Sequence, residues 1–127
     1  MPLCLRWMQL GAFYPFSRNH NAEGQGEQDP GMWPEVAVAG RQALEVRYTL
    51  LPILNTLFFV HKTQGSTVAR ALWHEFPQDK IARKVDRQFL WGSGILISPA
   101  LEENVTHVDA YFPPSARWFD YYNGNEV

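Results

Sequence analysis

The stretch RWMQLGAFYPFSRNHN, residues 6–21, decides the fold of this chain. It begins inside a helical pattern, because the apolar residues before it and within it recur at the spacing of one helix face. A glycine and a proline end the pattern, so we predict a helix over Leu3–Gly11. Residues 14–18 read as a short extended segment, which leads into a polar loop over residues 20–31.

A second helical pattern begins at Pro34 and continues to about Gln64. Proline suits the first turn of a helix, where its missing N–H costs nothing. Pro52 lies inside the pattern, so we expect a kink or two abutting helices. Gly65 ends it.

Beyond residue 65 the apolar pattern changes to a period of two, which is typical of β structure. The first half of the chain is therefore helical and the second half is β, which makes the chain α+β. The predicted extended elements are residues 67–76, Phe89–Trp91, Ile95–Ser98, Val105–Phe112 and Arg117–Tyr122, with turns at residues 92–94 and 123–124.

Composition excludes several classes of function. The chain has 127 residues, of which 46% are apolar, and a formal net charge of −2. Its densest basic cluster, residues 80–87, is interrupted by an aspartate and is adjoined by another, so we interpret it as a solvated face. Nucleic-acid binding requires a concentrated basic patch, so we expect no nucleic-acid partner.

No uninterrupted apolar run reaches the roughly 18–20 residues that span a bilayer, so we expect no membrane contact by this segment. Residues 1–10 lack the charged flank and long apolar region of a secretory signal. Cys4 is the single cysteine, so no internal disulfide can form and its thiol is expected to be free.

Residues 6–21 are similar to the last helix-to-strand passage of the catalytic barrel in glycoside hydrolase family 31. The resemblance covers nearly the whole chain, and it is strongest to α-glucosidases of the maltase-glucoamylase and sucrase-isomaltase type. The further matching motifs follow in the family's order, at Gln28–Pro30, Arg47–Pro52, Thr67–Arg70, His74–Phe76, Asp86–Gly92, Ala110–Pro113 and Arg117–Tyr121.

The resemblance implies a two-part architecture. Residues 1–65 would be the C-terminal end of a (β/α)8 barrel, containing its last strand and last helices. Residues 66–127 would begin a C-terminal β-sandwich domain. Barrel enzymes place their chemistry in the loops at the C-terminal ends of the strands.

The resemblance also implies an activity. The parent protein would be an α-glucosidase that releases terminal α-linked glucose from maltose- and starch-type oligosaccharides by a retaining two-carboxylate mechanism, which needs no cofactor. The family's two catalytic aspartates lie upstream of the matched region. This chain is therefore expected to contain no catalytic residue and to be inactive alone.

By resemblance, His20 contacts hydroxyl groups of the glucose in the subsite of the cleaved residue. An imidazole suits this task because it can donate and accept hydrogen bonds while largely neutral near pH 7. Arg18 and Asn19 are expected to have a supporting role, in which they orient either the loop or a neighbouring carboxylate. The other histidines are predicted to be structural, and the four together lack the spacing of metal ligands.

Asn104-Val105-Thr106 is an N-glycosylation acceptor sequence. It suits a secretory-pathway protein, and the resemblance implies an extracellular or membrane-anchored ectodomain, with a lysosomal location as the alternative.

Two other interpretations of the chain stay open. It could be a free-standing carbohydrate-binding or protein-interaction module, with the aromatic residues 118–122 as its platform. It could also be a piece that does not fold stably by itself, because an excised part of a barrel exposes apolar faces.

Overall fold

A computed structural model describes residues 2–127. The first helix, α1 (Pro2–Gly11), confirms the predicted Leu3–Gly11 helix. After Gly11 the backbone tightens, since the N–H of Phe13 bonds to the Leu10 carbonyl at 3.0 Å. Residues 12–13 then form a turn and residues 14–16 a bend, so the predicted extended segment is wrong over residues 14–16. A barrel strand is held by neighbouring strands, and residues 2–65 contain no strand that could pair with this segment.

The polar loop ends in a 3₁₀ turn at Pro30–Met32. The Asp29 side chain caps this turn by accepting a hydrogen bond from the Gly31 N–H at 2.8 Å. The loop therefore leads directly into the second helix.

Helix α2 (Pro34–Gln64) runs for 31 residues without a break, so the alternative of two abutting helices is wrong. Pro52 is exposed, and water on that side can take up the hydrogen bond that the proline removes. Gly65 ends the helix as predicted, in the left-handed conformation with φ 72°, and its N–H bonds to the His61 carbonyl at 2.9 Å.

By length and composition alone α2 could cross a membrane, a test that buried helices of soluble proteins also pass. Only 11% of its most apolar stretch is buried within this chain. The helix contacts α1 on one side, where Met8 packs closely against Gly40.

The β half contains one antiparallel sheet of three strands, β1 (Ala69–Arg70), β2 (Phe89–Trp91) and β3 (Ile95–Ile97), with β2 in the centre. The pairing of β2 with β3 confirms the predicted strands on either side of residues 92–94. The sheet separates two small cores. Trp91 faces Leu50 and Leu54 of α2, whereas Leu90 packs in a second cluster that includes Leu72 and Ala82.

Three predicted extended segments differ in the structure. Residues 67–76 contain only β1, because the chain then turns into a short helix, α3 (Leu72–Glu75). Residues 105–112 form no strand, and the backbone N–H of Tyr111 bonds instead to the buried Gln88 side chain at 2.9 Å. Residues 117–122 make a single bridge between Phe119 and Glu126 across the predicted turn, where Gly124 adopts φ 72°.

Candidate functional site

An open groove of about 690 Å³ lies between α1, the loop that follows it and the beginning of α2. Its wall is mainly apolar, with Trp7 and Met8 from α1 and Trp33 and Val36 at the beginning of α2. No aspartate or glutamate lies among the groove's described lining residues. A retaining glycosidase needs two carboxyl groups about 5–5.5 Å apart, and the described lining of this groove supplies neither.

The three residues predicted to contact or support the sugar lie together at the rim of this groove. Arg18, Asn19 and His20 are all exposed and all line it. The Nδ1 atom of His20 lies 2.6 Å from the carbonyl oxygen of Asn21. In a neutral ring this contact places the proton on Nδ1, which leaves Nε2 as an acceptor for a ligand hydroxyl.

Asn19 connects this rim to α1. Its side-chain amide lies 3.4 Å from the sulfur of Met8, which is a weak acceptor. Arg18 makes no side-chain hydrogen bond or ion pair within residues 2–127 of the structure. Its guanidinium is therefore available to a ligand or to another part of the protein.

The segment between α1 and the rim is held by a side chain for which no role at the site was predicted. Arg47, on α2, donates from Nη1 to the carbonyl oxygens of Ala12 at 2.5 Å and Tyr14 at 2.6 Å. Its Nη2 donates to the carbonyl of Pro15 at 3.1 Å. One guanidinium thus bonds to three carbonyls of one short segment.

The remaining carbonyl of that segment is bonded from the sheet. Trp91 of β2 is 1% exposed, and its indole N–H donates to the carbonyl oxygen of Phe13 at 2.5 Å. The Trp91 and Phe13 rings are also neighbours, with centroids 6.0 Å apart. Arg47 and Trp91 each stand in a motif that resembles the family, but their sequence context gave no sign of a shared target.

In the β half, hydrogen bonds shift the pKa values of two side chains that contact each other. The Tyr111 hydroxyl donates to Asp79 at 2.7 Å, and together with the backbone N–H groups of Ala82 and Ile81 it lowers the pKa of that carboxyl. The same contact raises the pKa of Tyr111. Asp79 accepts these backbone hydrogen bonds at the beginning of the 3₁₀ turn at residues 82–84, so its environment has a structural explanation.

Within the described residues, no group of three or more histidine, cysteine, aspartate or glutamate side chains could hold a metal ion. His61 contacts the Ser66 carbonyl at the end of α2, and His74 lies 3.4 Å from Glu75. Asn104, the glycosylation candidate, is exposed in a turn and has φ 61°.

Two family descriptions match this chain in succession. The "Glycosyl hydrolases family 31 TIM-barrel domain" matches residues 1–57, and the "Glycosyl hydrolase family 31 C-terminal domain" matches residues 65–127. The chain belongs to glycosyl hydrolase family 31. The residues that decided the fold, 6–21, lie in the barrel match.

Similar proteins support the same assignment. "Probable maltase-glucoamylase 2" of Homo sapiens is 54% identical over 123 residues, covering 96% of this chain and 5% of that protein. "Lysosomal alpha-glucosidase" of Bos taurus is 51% identical over 119 residues, covering 93% of this chain and 13% of that protein. The family 31 chain therefore spans a small fraction of the length of these relatives.

A solved structure agrees in fold. The family 31 dextranase of Flavobacterium johnsoniae, complexed with glucose, superposes with a TM-score of 0.88 at 33% identity. The match covers 97% of this chain and 15% of that one. The arrangement of helices and sheet is therefore that of the corresponding part of a family 31 glycosidase.

Proposed function

We propose that this chain forms one wall of the sugar site of an α-glucosidase. In this proposal, residues 1–65 are the end of the catalytic barrel and residues 66–127 begin the β-sandwich domain behind it. The observation that carries the proposal is the exposed rim of Arg18, Asn19 and His20 beside a groove whose described lining residues include no carboxylate. The rim lies in the part of the chain that matches the family 31 barrel domain.

The accessible surface of the chain supports a role inside a larger protein. It amounts to 9128 Å² for a mass of 14.6 kDa. A compact monomer of this mass exposes about 6,900 Å², so the chain exposes about 2,200 Å² more. A standard protein interface covers only ~800 Å² on each partner.

Several large apolar side chains are exposed on α2. Val38, Tyr48, Ile53 and Phe59 are exposed by 58%, 70%, 45% and 65%. Large exposed apolar patches on a monomer mark interaction surfaces. In a (β/α)8 barrel a helix of the outer ring contacts strands and neighbouring helices, which would cover this surface.

His20 would bind the sugar, whereas bond cleavage would be performed by residues from the rest of the protein. With Nδ1 engaged by Asn21, its Nε2 accepts a hydrogen bond from a glucose hydroxyl. Asn19 would support the rim through its contact with Met8, and Arg18 would support it through groups contributed by the rest of the protein. The two carboxylates that cleave the α-linked glucose of maltose- or starch-type oligosaccharides come from outside this chain, and no cofactor takes part.

A chimera tests the proposal. The matching segment of the bovine lysosomal α-glucosidase is replaced by this chain, and maltose hydrolysis is measured. We expect the chimera to hydrolyse maltose and the chain alone to have no activity. His20→Ala should raise KM about threefold to tenfold, the value of one hydrogen bond.

His107→Ala is the matched control, because His107 is an exposed loop histidine outside the groove. An unchanged KM in His20→Ala would contradict the assigned sugar contact. Inhibitor-sensitive hydrolysis by the chain alone would contradict its inactivity.

The second candidate is a free-standing carbohydrate-binding or protein-interaction module. It is favoured by the exposure of Phe119, Tyr121 and Tyr122, the last of which is 80% exposed. The two tyrosine rings meet edge to face at 5.1 Å, so they do not form one flat stacking surface. Calorimetric titration of the chain with maltose distinguishes this candidate, since saturable binding by a folded monomer would favour it over the barrel proposal.

The proposed location is the secretory pathway. Asn104 and Thr106 are both exposed, so an oligosaccharyltransferase could reach the acceptor sequence. The lysosomal relative offers one destination, and an extracellular or membrane-anchored ectodomain is the other that we propose.

A further inference from the structure

The short segment of residues 12–15 joins α1 to the rim that carries His20. No strand pairs with the backbone of this segment, yet every one of its four carbonyls accepts a hydrogen bond from a side chain. Three bonds come from Arg47 and one comes from Trp91. Partly buried carbonyls left without a donor would be costly, so these bonds fix the path of the segment.

Arg47 is suited to this task by its shape. A guanidinium is a flat fork with five donors in fixed directions, so it can bond to several carbonyls at once. Lysine carries the same charge but presents it at a single point on a flexible stem. Arg47 also places a positive charge just beyond the C-terminus of α1, where the helix dipole is negative.

Trp91 connects the segment to the other half of the chain. It belongs to the central strand of the sheet and is fully packed against Leu50 and Leu54 of α2. The Arg47 guanidinium lies 6.0 Å from the centre of its ring. Arg47, Trp91 and the four carbonyls therefore form one unit, which we call the carbonyl clamp.

The rim beyond the clamp has few other restraints. Residues 16–20 are exposed, and the contact of Asn19 with Met8 is their one side-chain hydrogen bond to α1 or α2 within the described chain. The direction in which the backbone leaves Pro15 therefore has a strong influence on the position of His20. A displacement of about 1 Å at such a site is enough to weaken binding or catalysis.

We propose that Arg47 and Trp91 are positioning residues for the sugar site and act through His20. This inference rests on the proposed sugar contact of His20. The sheet behind the barrel would then help to set the geometry of the site, in addition to supporting the barrel's stability.

The test uses the same chimera with Arg47→Lys, Trp91→Phe and their combinations with His20→Ala. Arg41→Lys is the matched control, because Arg41 lies on the same helix, is exposed and makes no side-chain hydrogen bond within residues 2–127. We expect Arg47→Lys and Trp91→Phe to raise the KM for maltose about threefold to tenfold with a smaller change in kcat. Arg41→Lys should leave both constants unchanged.

The double variants separate positioning from general destabilisation. If Arg47 acts through His20, Arg47→Lys should have little further effect on KM once His20 is alanine. An equal effect of Arg47→Lys in both backgrounds would overturn the proposal, and so would no effect in either.

A second measurement keeps the clamp testable if the sugar contact itself proves wrong. Amide hydrogen exchange over residues 16–21 should be faster in Arg47→Lys than in Arg41→Lys, because the rim is released. Unchanged KM in His20→Ala together with faster exchange would refute the sugar contact but retain the clamp. Unchanged exchange in Arg47→Lys would refute the clamp whatever His20 does.

Discussion

Substitution of Gly92 by alanine should destabilise the chain through two separable effects. Gly92 follows β2 with φ 56°, a conformation that costs an alanine roughly 1–2 kcal/mol. A Cβ atom there would also lie 2.5 Å from Cδ2 of Leu57, far inside van der Waals contact. Leu57 packs against the core between α2 and the sheet, so its displacement adds an overpacking cost of about 1–3 kcal/mol.

Two other glycines isolate these effects. Gly65 has a similar φ of 72°, but its Cβ would meet nothing within 4 Å, so Gly65→Ala should show the conformational cost alone. Gly94 has neither a positive φ nor a close neighbour, so Gly94→Ala should be neutral or slightly stabilising. The expected order of destabilisation is Gly92→Ala, then Gly65→Ala, then Gly94→Ala.

The assay measures the midpoint of thermal unfolding of the chimera for each variant, with tryptophan fluorescence as the signal. Leu57→Ala provides a further check, because it removes the atoms that an alanine at position 92 would strike. The double variant Gly92→Ala/Leu57→Ala should therefore be less destabilised than the two single effects combined. If Gly92→Ala lowers the midpoint no more than Gly65→Ala does, the contact with Leu57 is not what requires glycine, and the reasoning is wrong.

Three further outcomes are expected. The pKa of Asp79 is lowered chiefly by the Tyr111 hydroxyl, so the ionised carboxylate stabilises the folded chain at pH values above the ordinary pKa of 3.8. This stabilisation is lost as the pH falls through the pKa of the folded state. Tyr111→Phe should therefore make the loss of stability with falling pH less steep in acid unfolding titrations. Expression in a secreting eukaryotic host should add one glycan, which mass spectrometry would detect. Asn104→Gln and Thr106→Ala should abolish this glycan, whereas Thr106→Ser should retain it. An unmodified chain would contradict the inference that the exposed Asn104 is glycosylated. The isolated chain should bind a hydrophobic dye at the exposed apolar side chains of α2 and increase the dye's fluorescence. Phe59→Lys should reduce this fluorescence. Equal fluorescence with both chains would mean that the dye binds elsewhere.

The two long helices, α1 and α2, could be predicted from the sequence because their boundaries are local. Pro34 in the first turn of α2 and Gly65 in a left-handed cap at its end are chemical signals that need no tertiary partner. The β2–β3 pair was equally accessible, since a glycine-containing turn separates two apolar runs.

The failures share one cause, which is that a strand exists only with a neighbour. Residues 105–112 alternate like a strand, but in the structure the Gln88 side chain takes the backbone bond that a neighbouring strand would have made. Alternation over residues 67–76 likewise hid the helical turn at Leu72–Glu75. A period-two pattern reports which side chains face inward, and it does not report what the backbone pairs with.

The residues of the site could be predicted only in part, for a related reason. Family resemblance pointed to His20, and the structure places it with Arg18 and Asn19 on one rim of the groove. Arg47 lies 32 to 35 residues along the chain from the carbonyls that it bonds, and Trp91 lies 78 residues from its acceptor. Their acceptors are backbone atoms, which leave no mark in the identity of the residues.

That last property predicts an unequal tolerance to mutation. A donor side chain can be lost by a single substitution, whereas a carbonyl is supplied by any residue at that place in the chain. Tyr14 and Pro15 should therefore accept many replacements as far as these bonds are concerned, while positions 47 and 91 should accept few. A saturation library of the chimera selected for growth on maltose would show this asymmetry directly. Variation should be permitted at the positions that supply the acceptor carbonyls and restricted at the positions that supply the donor side chains.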